Sequence, residues 1–310
     1  MIGRIAALFL LMTATATQTM AQDAPSKGRS ALGYGLLFVN DLLGDGRDRW
    51  RTGSVMSSRV YGPAWTGALP GRAGEVLELR FLGEVMAPDN LVTPAPGDRP
   101  FAGSLSLGLH THFATAHGTE VSLGGDVVAI GPQTSLDNLQ TTLHDVFGMN
   151  AASAATLNAQ IGDKIRPTAT LEMARDVALS EETQFRPFME LRGGVETYAR
   201  VGFDVTIGRA GQGELLTRDP VTGHRMRVVR QHTPGLSWIV GADVAKVWDS
   251  VYLPEDRGYA LTNTRTRARL GLHWQGEKSM VFYGMTYLGE EFVGQGSGQF
   301  VGALQFSLKF

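Results

Sequence analysis

The chain has 310 residues, a formal charge of −2 and no cysteine, with a pI near 6.4 and a mean hydropathy of −0.05. Disulfides, thiolate metal sites and cysteine nucleophiles are therefore excluded, and the lack of basic excess removes support for nucleic-acid binding. A hydropathy near zero reads as soluble, but it also suits a membrane barrel in which half of each strand faces a polar interior.

The chain opens on a short basic start ending at Arg4, a compact apolar run from Ile5 to Met12, and Thr19-Met20-Ala21. This predicts a secretory signal peptide over 1–21, with a mature domain over 22–310. The apolar run is too short to span a bilayer, and no other stretch approaches the roughly 20 apolar residues that a transmembrane helix needs.

From there the sequence alternates with a period of two, which puts apolar residues on one face and polar residues on the other. Twelve such segments are predicted, at about 31–41, 49–61, 74–86, 101–115, 117–131, 165–177, 183–194, 195–208, 235–251, 263–275, 278–290 and 299–310. In the last, Leu304, Phe306, Leu308 and Phe310 alternate with Gln305, Ser307 and Lys309, and Phe310 is terminal. Twelve is even, as a single-chain bacterial barrel requires. The predicted fold is all-β: a 12-stranded antiparallel transmembrane β-barrel of the outer membrane. Its polar face carries both signs, among them Glu78, Arg80, Glu84, Glu190, Arg200, Asp204, Arg265, Arg267 and Arg269. These residues are expected to fill and cross-link the lumen and to leave no wide pore.

The stretch 133–162 breaks the pattern. Leu136, Leu139, Leu143, Val146 and Phe147 recur at helical spacing, with Ser135 as the expected N-cap and Gly148 as the stop. A second helical piece is expected over about 151–161. With both termini periplasmic, the connections at 42–48, 87–100 and 132–164 are extracellular. The long connection at 209–233 then falls on the periplasmic side, where it either folds under the barrel or marks a misjudged strand.

Candidate chemistry gathers at the extracellular end. Asn40-Asp41 ends the first strand, and Asp48-Arg49 and Thr52-Gly53 open the second. An Asn-Asp pair at a strand end also suits a plain turn. Successive strand residues point to opposite faces, so both can serve one site only if the strand ends or bulges there. Gln140 and His144 lie four apart on one face of the predicted helix, with Asp137 one turn earlier. A capping or exposed histidine is the plainer alternative. His110, His112, His117, His224, His232 and His273 have no such neighbourhood and are read as structural.

Three motifs in order, V-N-D-(x)6-D-R-(x)2-T-G at 39–53, G-D-R-P-F-A-G at 97–103 and A-I-G-P…L-Q-T-T-L-H-D-V-F-G at 129–148, resemble the lipid A 3′-O-deacylases of Gram-negative outer membranes. The resemblance covers nearly the whole mature chain. It implies a calcium-dependent esterase that removes the 3′-linked acyloxyacyl group of lipid A in the outer leaflet. It places the essential Asn-Asp pair on Asn40 and Asp41, the hydroxyl residue on Thr52, the histidine on His144 and the glutamine on Gln140. Two departures stand out: Asn150 replaces a glutamate that some members carry, and 89–93 offers no counterpart to a lysine found in others.

The implied chemistry is coherent on its own terms. Ester hydrolysis needs a base for water, and His144 is the natural one. Asp41 is a hard oxygen ligand suited to Ca²⁺, and Asn40 or Thr52 could donate to an oxyanion or hold the water. No G-x-S-x-G is present, and Ser135 reads as a cap rather than a nucleophile. The expected partner is lipopolysaccharide, with the barrel a monomer. The alternatives are a non-enzymatic lipopolysaccharide-binding, structural or narrow-channel barrel, or an outer-membrane phospholipase.

Overall fold

The computed structural model describes residues 28–308 except His232, so the signal peptide and Phe310 lie outside the described residues. The wall comprises β1 (Ser30–Asn40), β2 (Trp50–Gly62), β3 (Val76–Ala87), β4 (Ala102–Ala114), β5 (Glu120–Ile130) and β6 (Lys164–Ala174). It continues with β8 (Thr183–Gly193), β9 (Glu196–Ile207), β12 (Gly235–Ser250), β13 (Arg265–Gln275), β14 (Ser279–Leu288) and β15 (Gln299–Leu308). Each strand pairs antiparallel with its neighbours; β1–β15 and β6–β8 close the ring. The two-residue β7 (Val177–Ala178) only extends β8. The twelve wall strands match the twelve alternating segments to within about three residues, because alternation is what a wall between lipid and a polar lumen demands.

The outward face is apolar and accessible: Leu107, Leu109, Val127, Val201, Leu270 and Trp238 are 46–59% exposed. The inward face is charged and buried. Asp204 accepts from Arg269 Nη2 at 2.6 Å and Arg218 Nη2 at 3.0 Å, and Asp243 accepts from Arg267 Nε at 2.9 Å. The expected cross-linked lumen is present.

The connection at 209–233 neither hangs under the barrel nor joins the wall. It forms a separate hairpin, β10 (Leu215–Arg218) and β11 (Arg225–Val229), that enters the lumen. Met226 and Val228 are fully buried with Leu37, Met56, Val60 and Phe282 in the main apolar core. The Gln305 side chain clamps Arg227, accepting from its N–H at 3.1 Å and donating to its carbonyl at 2.8 Å. At the tip, His224 is packed so closely on β14 that a Cβ on Gly284 would stand 2.4 Å from its Nε2. The hairpin plugs the barrel from the periplasmic side.

The insertion between β5 and β6 carries α1 (Leu136–Phe147) and a single turn, α2 (Ala154–Asn158), shorter than the expected 151–161. Ser135 does not cap α1: its backbone is left-handed (φ 55°) and its side chain makes no cap bond. Gly148 does end the helix, at φ 68°. Ser153 caps α2, accepting from Thr156 N at 3.2 Å.

Candidate functional site

The sequence-predicted residues occupy the extracellular rim where β1, β2 and α1 meet. β1 stops at Asn40, and Asp41–Leu43 turn as a 3-10 helix. The strand end is what lets consecutive Asn40 and Asp41 serve one place. Asn40 uses its side chain twice: Nδ2 donates to Thr52 O at 3.2 Å, and Oδ1 accepts from Leu42 N at 2.9 Å. Across from it, pairing of β2 with β3 slips between Arg51 and Gly53. This bulge turns Thr52 out of the regular alternation and leaves it buried. Trp50, one step earlier, sits at φ 52°, a strained backbone for a bulky residue. Its indole donates to Asp98 Oδ1 at 3.2 Å, which ties the G-D-R-P-F-A-G loop to the rim.

Asp41 is fully buried, and its Oδ2 accepts from Arg49 N at 2.9 Å. Burial, and after it the charge of Asp48, push its carboxyl up to about 9. On α1 the buried residues are Gln140 and His144, as their spacing predicted, while Leu139 and Val146 point outward at 50% and 66% exposure. Asp137 is half-buried and lies 3.5 Å from Gln160 Nε2.

His144 is held at both nitrogens. Nδ1 donates to Asn150 O at 2.7 Å, which assigns the tautomer. Nε2 stands 3.1 Å from Asp48 Oδ2, an ion pair whenever the ring is protonated. Burial opposes the imidazolium, but Asp48 and the Asn150 carbonyl outweigh it, so His144 titrates above the ordinary imidazole range. Asn150 therefore contributes through its backbone, a role indifferent to the side chain at that position.

In the sequence Asp48 stands out only as part of the Asp48-Arg49 dipeptide, with no catalytic or metal role of its own. Nothing in one strand's sequence says which helix will lie over it. In the fold it links the two halves of the site, acting by charge on Asp41 and by contact on His144.

Several buried polar atoms in this cluster have no hydrogen-bond partner: Asp41 Oδ1, both Asp48 carboxylate oxygens, Thr52 Oγ1 and Gln140 Nε2. Buried polar groups are rarely left so, and two crowded carboxylates with spare oxygens suit a divalent cation. Among the described residues no group of three or more His, Asp or Glu could hold a metal. Asp41 and Asp48, which act on each other by charge, are the two carboxylates here that could face such an ion.

A family model for outer membrane protein LpxR matches residues 5–310. Among solved structures, LpxR from Salmonella typhimurium is similar at a TM-score of 0.73 and 18% identity, covering 91% of this chain and 100% of that one. An outer membrane channel from Pseudomonas putida aligns at a TM-score of 0.41 and 11% identity, over 94% of this chain and 100% of that one. No curated protein sequence matches. The chain belongs to the outer membrane protein LpxR family, and its place is the outer membrane.

Proposed function

From that membership we propose that the protein is a lipid A 3′-O-deacylase, a calcium-dependent esterase acting on the 3′-linked acyloxyacyl group in the outer leaflet. The observation that carries this reading is the buried rim cluster, where His144, fixed at Nδ1, faces Asp48 at Nε2, Asp48 acts by charge on Asp41, and Asp41 and Thr52 keep unpartnered buried oxygens. Nδ1–H is committed to Asn150, so Nε2 is the atom that moves a proton. Neutral His144 takes a proton from water at Nε2. The hydroxide formed attacks the ester carbonyl carbon, and the sugar 3′-oxygen leaves with the proton that His144 returns. Asp48 holds the imidazolium between those steps. Thr52 Oγ1 and Gln140 Nε2 are free to bind the water or the developing oxyanion. Calcium, held by Asp41 with Asp48 beside it, would polarise the ester carbonyl.

The decisive experiment is mass spectrometry of lipid A from cells expressing this chain or His144→Ala, with calcium and with chelator. Loss of one acyloxyacyl unit that needs both calcium and His144 is the expected result. Unchanged lipid A beside a folded barrel overturns the reading. Fatty-acid release from phospholipid vesicles lacking lipid A would move the activity to another head group. The lumenal hairpin weighs against a channel.

A further inference from the structure

We propose that the barrel lumen, just below its extracellular end, binds one phosphate-class oxyanion between Arg200, Arg265 and Arg267. A cavity lies there above the hairpin tip at Pro220 and Val221; five arginines (51, 192, 200, 265 and 267) and three glutamates (84, 196 and 291) line it.

The glutamates are already engaged. Arg51 donates to Glu84 and, at 2.8 Å, to Glu291. Arg265 Nη1 donates to Glu196 at 2.7 Å, and Arg99 donates to Glu291 at 2.6 Å. What remains is donor capacity. Arg265 Nε and Nη2, Arg200 Nε and Nη1, Arg267 Nη2 and Arg192 Nε have no hydrogen-bond partner. Yet Arg200, Arg265 and Arg267 are only 7%, 7% and 5% exposed. Arg200 reaches ion-pair range of Asp243 (3.5 Å) and Glu190 (3.9 Å) without bonding either, and lies over the Tyr198 ring.

Buried guanidinium N–H groups without acceptors are costly, and a single multi-oxygen anion answers several at once. The free Nε and Nη2 of Arg265 form one edge of the guanidinium, the edge that grips two oxygens of an oxyanion. That geometry favours phosphate or sulfate over a halide. The wall separates the cavity from the membrane, so the ion is free in solution rather than part of a lipid head group. None of these arginines belongs to the hydrolytic cluster.

The test is equilibrium dialysis of radiolabelled inorganic phosphate against the full chain in detergent, free of lipopolysaccharide, at constant ionic strength. Saturable uptake of one phosphate per chain, displaced by sulfate, is expected. Arg265→Gln should weaken it about tenfold or more, the scale of a lost charge-assisted bond, and Arg265→Lys should weaken it too, because the fork is lost although the charge stays. The unfolding midpoint of the wild type should rise with phosphate. No saturable uptake by the wild type overturns the proposal, whatever the variants do. So does uptake unchanged in Arg265→Gln, or uptake seen only when lipopolysaccharide is added, which would place the phosphate on the lipid.

Discussion

Among the described residues three buried carboxylate–histidine pairs stand in this barrel, and two of them, Glu78–His112 and Asp48–His144, differ completely in their surroundings. In the wall, Glu78 meets Ser58 Oγ, accepts from Arg80 Nε and Nη2 at 2.9 and 2.8 Å, and lies 2.7 Å from His112 Nε2. At the rim, Asp48 meets His144 at 3.1 Å, has no hydrogen-bond partner on either oxygen, and adjoins a second carboxylate, Asp41. The Glu78 pair has every acceptor spent and serves the wall. The Asp48 pair has acceptors to spare and charge to be compensated, which is the condition for binding something.

Removing the ring from each pair gives the largest contrast. His144→Ala should cut lipid A deacylation by about 10²–10⁴-fold, whereas His112→Ala should leave the rate per folded barrel unchanged. Mass spectrometry of product, with heat-modifiable migration as the folding control, measures both. Equal losses in the two variants would erase the distinction.

Removing the carboxylates inverts the comparison. Glu78→Ala strands Arg80 in the wall and should cost about 3–5 kcal/mol in denaturant unfolding. Asp48→Asn should not destabilise the barrel, since it relieves the charge that helps push Asp41 up; it should instead slow turnover about 10–100-fold, as loss of a histidine's carboxylate partner does. The sign of the pH effect follows from His144. Its raised value means the base form appears only as pH climbs above the ordinary 6.5, so kcat/KM should rise through an alkaline-shifted limb. Asp48→Asn removes a raising cause and should move that limb to lower pH; an unmoved limb would show that the pair does not tune the base.

Asp41 makes the same point through the metal. Its carboxyl is pushed up to about 9, so below that pH calcium must displace a proton. Calcium affinity, read by calorimetry, should rise about tenfold per pH unit toward 9 and then level off. In calcium-free protein the neutral carboxyl is the favoured form. Its contribution to stability is intact at low pH and fades as pH rises toward 9. A pH-independent affinity would remove Asp41 from the ligand set.

Much of this was legible in the sequence, for a physical reason in each case. The twelve strands announce themselves because lipid on one side and charge on the other impose a period of two. The Gln140–His144 face follows from helical spacing alone. What stayed hidden depends on contacts between distant segments. The 209–233 hairpin alternates too weakly to read as wall, and only the lumen's shape shows that it goes inside. Ser135 looked like a cap, but the chain enters α1 in a left-handed turn that aims its hydroxyl away. Asp48 gained a partner only when α1 folded over β2.

That folding-over rests on a glycine. A Cβ on Gly103 of β4 would lie 2.6 Å from Thr134 Oγ1 and 2.9 Å from Leu136 Cβ. Neither atom can swing aside: Thr134 Oγ1 is bonded to Gly131 O at 2.8 Å, and Leu136 Cβ is fixed to the first turn of the helix. Gly103→Ala must therefore lift the start of α1, at about 1–3 kcal/mol of local strain. His144 lies just over two turns along the same helix, so the lift draws Nε2 away from Asp48. Turnover should fall about tenfold, the scale of a small misplacement at a catalytic group, with strand pairing intact by amide exchange. Combined with Asp48→Asn the losses should be less than additive, because both act through one contact. Full additivity would mean that the helix and the rim carboxylate work independently.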